Sequence, residues 1–167
     1  MATLPILEFP DPRLRAKAAP VDTFDADLER LSKDMLETMY EAKGIGLAAT
    51  QVGVTKRLFV MDVSEELDTP QVLVNPRIVE KHGDETYQEG CLSFPGVFAD
   101  VTRAECVTVE AEDTAGNTTR REVDGLEAIC IQHELDHLDG KVFIDYLSPL
   151  KRTLLLKRLE KQRRKAG

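Results

Sequence analysis

Residues 132–140, QHELDHLDG, contain two histidines four positions apart, with a glutamate beside the first. In an α-helix, positions i and i+4 lie on one face, so His133 and His137 can bind one metal ion if this segment is helical. His-Glu-x-x-His on a helix is typical of metal-dependent hydrolases, in which the glutamate moves a proton for the attacking water. The motif predicts a metal-binding helix with Glu134 as acid–base, and it needs a third ligand from elsewhere in the chain.

The residues around this motif have the features of a helix over 126–139. Asp124 stands at the position of an N-cap, and Gly140 follows as a residue that ends helices. Four apolar side chains can seat this helix in a hydrophobic core, namely Leu126, Ile129, Cys130 and Leu138.

Two further helices are predicted, one near each end of the chain. Apolar residues at helical spacing indicate a helix over 24–43, with Gly44 as its stop. Ser148 and Pro149 form a cap and first-turn pair that begins a last helix over 149–165.

The middle of the chain is predicted to form strands. Residues 57–63 and 71–76 are typical of short buried strands, and residues 104–123 alternate on both sides of a turn at Gly116-Asn117, as a hairpin does. Strands in the middle with helices around them indicate an α+β fold. We therefore expect a single domain of short, mostly antiparallel strands around the central metal-binding helix.

Composition and length indicate one globular domain in a reducing compartment. The chain has 167 residues, of which 42% are apolar and 31% charged. No apolar run approaches the roughly 18 residues that span a membrane, and the N-terminus lacks the order of a signal peptide. Three cysteines cannot form a closed set of disulfides, so we expect free thiols and a cytoplasmic location.

Positive charge is concentrated at the C-terminus. Residues 151–165 hold eight Lys or Arg and one acid, Glu160, whereas the rest of the chain holds 14 basic and 29 acidic residues, a balance of −15. An acidic body with a basic tail predicts an anionic partner for the tail alone. The alternative is a solvated helix that leans on the domain and whose basic end is favoured by the helix dipole.

Five positions other than a loop cysteine are candidates for the third ligand. A longer protease signature requires histidine at position 143, where Phe143 cannot bind metal, and Glu160 lies in a basic helix where a surface ion pair is its expected role. His82 lies in a polar turn, and Cys106 is predicted to pack within a strand. Cys130 lies seven residues from His137, about 10 Å along the helix axis, which is too far for a shared ion.

Cys91, in QEGCLSFPG, is the candidate that remains. Gly90 before it lets the backbone come close to a ligand, and Pro95 beyond it fixes the loop. A separate glycine-rich stretch, GIGLAATQVG at 44–53, follows a predicted helix and so lacks the strand–turn–helix context of a nucleotide site. Gln51 within it offers an amide donor that can stabilise a developing oxyanion.

Together, GIGLAATQVG, EGCLSFPG and QHELDHLDG, in this order, resemble bacterial peptide deformylase. The resemblance runs from ILEFPDPRLR to the last helix, and the uninterrupted core with a C-terminal helix is similar to the type common in Gram-negative bacteria. It implies that Cys91, His133 and His137 bind the metal and that Glu134 is the acid–base. The implied reaction is hydrolysis of the N-formyl group of formyl-methionyl nascent peptides, with release of formate.

The resemblance also implies how the substrate is held. Gln51 and the backbone amide of Leu92 would bind the formyl oxygen. Tyr87 stands where an aliphatic pocket residue is often found. Other positions are implied to wall the methionine pocket or to hold the peptide backbone: Ile45, Leu126, Ile129, Cys130 and His133 for the pocket, and Gly46, Glu89 and Gly90 for the backbone.

Metal, partners and domain limits follow from the same resemblance. Nitrogen and sulfur ligands alone suggest zinc, whereas the resemblance implies Fe2+, with Ni2+ or Co2+ as substitutes. The expected partners are the N-formyl-methionyl peptide and, through the basic C-terminal helix, the ribosome; no membrane or DNA partner is expected. Residues 1–148 would be the catalytic core and residues 149–167 a basic helix of the same domain.

Two rival functions belong to other classes. A structural zinc module would require a fourth protein ligand and would not need Glu134. A zinc endoprotease would cleave internal peptide bonds, and neither a third histidine nor a well-placed glutamate supports it.

Overall fold

The computed structural model describes residues 2–166, which form three α-helices, seven β-strands and three single turns of 3-10 helix. The helices are α1 (Ala26–Glu41), α2 (Gly125–Leu138) and α3 (Pro149–Ala166). The strands are β1 (Gly46–Ala48), β2 (Leu58–Met61), β3 (Gln71–His82), β4 (Glu85–Cys91), β5 (Phe94–Arg103), β6 (Cys106–Glu112) and β7 (Thr118–Asp124). The 3-10 turns are Pro12–Arg15, Ala49–Val52 and Phe143–Tyr146. The α+β class is confirmed.

The strands form two antiparallel sheets. Five strands pair in the order β1-β2-β3-β6-β7, and β4 pairs with β5 separately. The predicted strands at 57–63 and 71–76 are β2 and the start of β3, and the predicted hairpin is β6–β7. The prediction missed β1, the second half of β3 and the β4–β5 pair. Most side chains of β4 are exposed, so this strand has no apolar alternation to mark it.

The first helix begins two residues later than predicted, at Ala26, and ends two residues earlier, at Glu41. Asp25 caps its N-terminus by accepting a backbone N–H of the first turn at 3.0 Å. Lys43, not Gly44, takes the left-handed conformation that closes the helix, with φ +60°. Gly44 is the next residue, and its N–H donates to the carbonyl of Met39 at 2.9 Å, which satisfies a terminal carbonyl.

The helix that was predicted to bind metal, α2, lies in the centre of the molecule. Residues 128–134 of α2 are all buried, including the polar Gln132, His133 and Glu134, so this part of the helix is enclosed on all sides rather than on one stripe. Ile131 and Leu138 pack in one cluster with Phe59 and Val107 of the main sheet. Burial on all sides fixes the rotation of the helix, and with it the direction of both histidines.

The ends of α2 are set by backbone geometry. Asp124 precedes the helix as predicted, but its side chain makes no capping hydrogen bond because Asp124 is still paired with Cys106 in the sheet and Gly125 follows with φ +59°. Gly140 ends the helix as predicted, with φ +78°. A Cβ on Gly140 would lie 2.5 Å from the carbonyl oxygen of Arg15.

The last helix lies against the β4–β5 pair. Leu155 and Leu159 are buried with Phe94 of β5 in a separate apolar cluster. Leu150 and Leu154 of the same helix are 70% and 47% exposed. Across the described residues, no helix has both the length and the apolar character that crossing a membrane requires.

We predict that Gly140→Ala destabilises the protein more than Gly125→Ala. Both glycines flank α2 with positive φ, which costs a residue with a Cβ about 1–2 kcal/mol. A Cβ at Gly125 meets nothing within 4 Å, whereas at Gly140 it meets the Arg15 backbone. Urea unfolding should show that Gly140→Ala loses at least about 1 kcal/mol more. Equal losses would mean that the contact with Arg15 relaxes without cost.

Candidate active site

Three metal-binding side chains meet where α2 passes the end of β4. The rings of His133 and His137 have centroids 5.1 Å apart. The Sγ of Cys91, the last residue of β4, lies 3.3 Å from Nε2 of His137. One potential ligand atom from each of these three residues lies within 4.8 Å of the others. The structure therefore brings together the predicted ligands, although 42 positions of sequence separate Cys91 from His133.

The donor set fits a divalent metal ion. One sulfur and two imidazole nitrogens are the ligands of many tetrahedral sites, with bonds of roughly 2.0–2.3 Å, and three protein ligands leave a position open for catalysis. Burial and the neighbouring His133 lower the pKa of His137, so this ring is neutral, which is the form that ligates. Nδ1 of His137 is buried without a hydrogen-bond partner among the described residues.

Glu89 fixes the orientation of His133. Oε1 of Glu89 lies 2.8 Å from Nδ1 of His133, which leaves Nε2 for the metal. Although burial opposes a charged ring, hydrogen bonds with Cys91 and Glu89 raise the pKa of His133. The pKa of Glu89 is lowered despite its burial, because His133 and Arg103 both donate to it. Glu89 was predicted to lie beside the peptide backbone; it does line the cavity described below, and its carboxylate is hydrogen-bonded to His133 and Arg103.

A buried arginine supports Glu89. Arg103, at the end of β5, donates from Nε to Glu89 at 2.6 Å and from its other nitrogens to Glu89 at 3.0 Å and to Asp136 at 2.8 Å. The Tyr146 hydroxyl donates to the same Asp136 oxygen at 2.6 Å, and the Tyr146 ring lies under the guanidinium at 4.9 Å. Arg103, Asp136 and Tyr146 were not predicted from the sequence. No local pattern marks them, since they lie on three different elements.

Glu134 lies in a nearly dry position beside the two histidines. It is 4% exposed, and burial, opposed by the charge of His133, raises its pKa to about 7. Its Oε1 has no hydrogen-bond partner among the described residues. A Cβ on Gly46 of β1 would lie 2.5 Å from Oε2 of Glu134, so only glycine lets the backbone of β1 approach the carboxylate this closely.

The amide of Gln51 is oriented toward the candidate metal centre. The backbone N–H of Ala48 donates to its Oε1 at 2.9 Å, which directs Nε2 the other way. Nε2 lies 3.1 Å from Oγ of Ser93 and 3.5 Å from Sγ of Cys91. The amide nitrogen is therefore a donor held next to the ligands. Ser93 was not predicted and follows Cys91 and Leu92 in the loop after β4.

A cavity of about 520 Å3 opens beside these groups. Its floor holds His133, Glu134 and Gln51, and Cys91 lies at its wall. The half-exposed Tyr87 lies at its rim. The remaining predicted substrate residues also line it, namely Ile45, Gly46, Glu89, Gly90, Leu92, Leu126, Ile129 and Cys130. A partly apolar cavity with a few polar groups at one end is typical of a small-molecule or peptide-terminus site.

The other residues considered as ligands lie elsewhere or serve in packing. Phe143 is buried, with its ring stacked 6.2 Å from that of His133. Glu160 lies on the surface 4.0 Å from Arg164 as an i,i+4 partner, and His82 is exposed beside Glu80 at 3.1 Å. Cys130 lines the cavity wall, and its Sγ points to a backbone carbonyl 3.8 Å away rather than to the histidines. The GIGLAATQVG stretch continues into β1 and a single 3-10 turn, so no helix N-terminus is available for a phosphate.

Comparison with protein families gives the site its context. Residues 3–153 match the family model for polypeptide deformylase, which covers most of the chain. The chain belongs to the polypeptide deformylase family. It is 60% identical over 167 residues to peptide deformylase 2 of Xanthomonas campestris, with 98% of each protein covered.

Solved structures of other family members have the same fold. The peptide deformylase from Legionella pneumophila superposes with a TM-score of 0.94 at 50% identity, covering 98% of this chain and 96% of that one. The peptide deformylase from Ehrlichia chaffeensis in complex with actinonin gives a TM-score of 0.92 at 40% identity, covering 97% and 98%. The family resemblance seen in the sequence is thus confirmed along nearly the whole chain.

We predict that Cys91→Ala loses its metal and that Cys106→Ala keeps it. Both cysteines are half-buried, but Cys106 lies in β6 outside the ligand cluster. Removing a ligand should weaken binding by more than the ~10–100-fold that loss of a supporting hydrogen bond costs. Elemental analysis of protein purified without oxygen measures the metal per chain. Full metal content in Cys91→Ala would exclude Cys91 as a ligand.

Proposed function

We propose that this chain is a metal-dependent hydrolase that removes the formyl group from N-formyl-methionyl peptides. The observation that carries this proposal is the cluster of Cys91, His133 and His137 beside Glu134. The adjoining cavity, of about 520 Å3, has room for one side chain and a short segment of peptide backbone. Membership of the polypeptide deformylase family supports it. The substrate class places the reaction in the cytoplasm, where nascent chains emerge.

In this proposal the chain's own groups position the substrate and move one proton. Nε2 of Gln51 and the backbone amide of Leu92 donate hydrogen bonds to the formyl oxygen as negative charge develops there. The water oxygen adds to the formyl carbon while Glu134 takes a proton from that water. Glu134 then returns a proton to the methionine nitrogen as the C–N bond breaks, leaving formate and a free amino group.

The proposed metal is Fe2+, held by Cys91, His133 and His137. When bound, a divalent ion supplies Lewis-acid polarisation of the formyl group and a lowered pKa for water. Ni2+, Co2+ and Zn2+ also bind sulfur and imidazole nitrogen ligands, so each is a proposed substitute for Fe2+ at this site. Elemental analysis of the unaltered chain, purified without oxygen, distinguishes iron from zinc.

The cavity walls support selection for methionine. Ile45, Leu126, Ile129 and Cys130 give an apolar surface next to His133, and such a surface suits a long, unbranched side chain. We propose that Gly46 and Gly90 hold the peptide backbone, with Glu89 contributing its own backbone there. Tyr87 at the rim would contact the residues that follow methionine.

The two rival functions have less support from the same residues. A structural zinc module needs a fourth protein ligand, and the cluster of the described residues holds three. A zinc endoprotease of the longer signature needs a third histidine where Phe143 packs against His133.

We predict that formyl-Met-Ala-Ser is hydrolysed and that acetyl-Met-Ala-Ser is not, as expected of a member of the polypeptide deformylase family. Glu134→Ala should keep its metal and lose on the order of 10²–10⁴ in kcat. Glu127→Ala is the matched control on the same helix, since Glu127 pairs with Arg121 outside the cavity. Equal cleavage of internal peptide bonds in blocked peptides would favour the endoprotease instead.

We further propose that α3 docks on ribosomal RNA, with residues 1–148 as the catalytic core and residues 149–167 as a basic helix of the same domain. Support comes from the concentration of eight cations in residues 151–165 on an otherwise acidic chain. Lys157 and Arg164 are exposed seven residues apart on the side of α3 opposite its buried leucines. Phosphate attraction of this kind weakens steeply with salt, because bound counterions are released on binding.

We predict that the double variant Lys157→Glu/Arg164→Glu cosediments with ribosomes at least roughly tenfold more weakly at low salt, with formyl-Met-Ala-Ser turnover unchanged. The matched control is Arg30→Glu/Lys33→Glu, the same charge change on the exposed face of α1. If both double variants cosediment like the unaltered chain, α3 is a solvated helix that only leans on the domain.

A further inference from the structure

A second cavity, of about 330 Å3, adjoins the active-site cavity. We call it the basic groove. It shares four residues with the active-site cavity, namely Gln88, Gly96, Val97 and Phe98. Its opposite wall is a single face of α3, formed by Arg158, Lys161, Gln162 and Lys165. A peptide that extends from the active-site cavity along β5 would therefore enter the groove.

The groove carries unneutralised positive charge. None of the described residues that line it is acidic. Arg158 and Lys161 have no carboxylate within 4.0 Å among the described residues, whereas Arg163 and Arg164 of the same helix pair with Glu8 and Glu160. Ion pairs therefore neutralise Arg163 and Arg164, which lie outside the groove, but neither Arg158 nor Lys161, which line it.

We propose that the basic groove is a substrate subsite for acidic side chains that follow formyl-methionine in the peptide. This inference rests on the proposed function, and it adds a second determinant of specificity. Outside residues 151–165 the chain has a net charge of −15. An acidic peptide is therefore repelled by most of the surface and attracted to the basic groove. An extended peptide advances about 3.3 Å per residue, so side chains a few residues beyond methionine reach the groove.

Formyl-methionyl hexapeptides of alanine test this subsite. An Asp pair or a Lys pair is placed at the third and fourth or at the fifth and sixth residues, and uncharged formyl-Met-Ala-Ser measures the basal reaction. At one of the two placements, we expect kcat/KM for the Asp peptide to exceed that for the Lys peptide by about fivefold or more at low salt. The difference should lie mainly in KM and should shrink at high salt, because the contacts are exposed.

Charge reversal in the groove gives the sharper test. Lys161→Glu and Arg158→Glu should each reduce the preference for Asp, and the double variant should favour the Lys peptide. Lys151→Glu is the matched control, an exposed lysine of the same helix outside the groove, and it should keep the preference. All four variants should hydrolyse formyl-Met-Ala-Ser like the unaltered chain, which shows that the fold is intact.

The contrary outcomes separate this subsite from the proposed function. Failure to hydrolyse any formyl peptide contradicts the proposed function. Turnover of all peptides with equal kcat/KM for Asp and Lys pairs overturns the subsite alone, as does a preference that survives charge reversal at Arg158 and Lys161. If the peptides are equal and Lys161→Glu weakens ribosome cosedimentation, the groove binds RNA phosphate and the subsite is overturned.

Discussion

The ion pair between Arg103 and Glu89 is the interaction on which the site depends. Its side chains are 4% and 3% exposed, and burying two charges costs several kcal/mol per ion unless every polar atom finds a partner. The partners here come from three directions, since β4 supplies Glu89, β5 supplies Arg103, and α2 supplies Asp136. A geometry that satisfies all of them at once leaves little freedom for His133, the ring that Glu89 holds.

The second constraint is the close approach of the β1 backbone to the carboxylate of Glu134. Glu134 belongs to a helix that is buried on every side, so its carboxylate can only lie where β1 leaves room. Gly46 provides that room, and the same short strand carries Ala48, whose N–H orients Gln51. The proposed acid–base group and the proposed amide donor are thus placed by one three-residue strand at the edge of the main sheet. The positions of Glu134 and Gln51 relative to Cys91, His133 and His137 are therefore set by the packing of the sheet and not by a loop.

The sequence contained enough local information to predict some parts of this arrangement and not others. The metal-binding helix was predictable because histidine spacing, apolar neighbours and Gly140 all lie within fifteen residues. Cys91 was reached by excluding other ligands and by resemblance to a family. The β4–β5 pair was missed because its solvent-facing strand lacks apolar alternation, and Arg103 was missed because its partners lie 14 and 33 positions away. Long-range pairing of polar residues leaves no periodic signal in a single sequence.

The position of α3 connects charge distribution with the active site. Leu155 and Leu159 pack α3 against Phe94 of β5. This contact fixes the rotation of the helix, and so determines which of its cations line the basic groove and which are turned away from it. Arg158 and Lys161 line the basic groove, whereas Lys157 is exposed outside it. Because the chain outside residues 151–165 carries an excess of acidic groups, an approaching anionic partner is attracted toward this helix before contact. Because the basic groove shares four lining residues with the active-site cavity, an anionic group bound by Arg158 and Lys161 would lie beside that cavity.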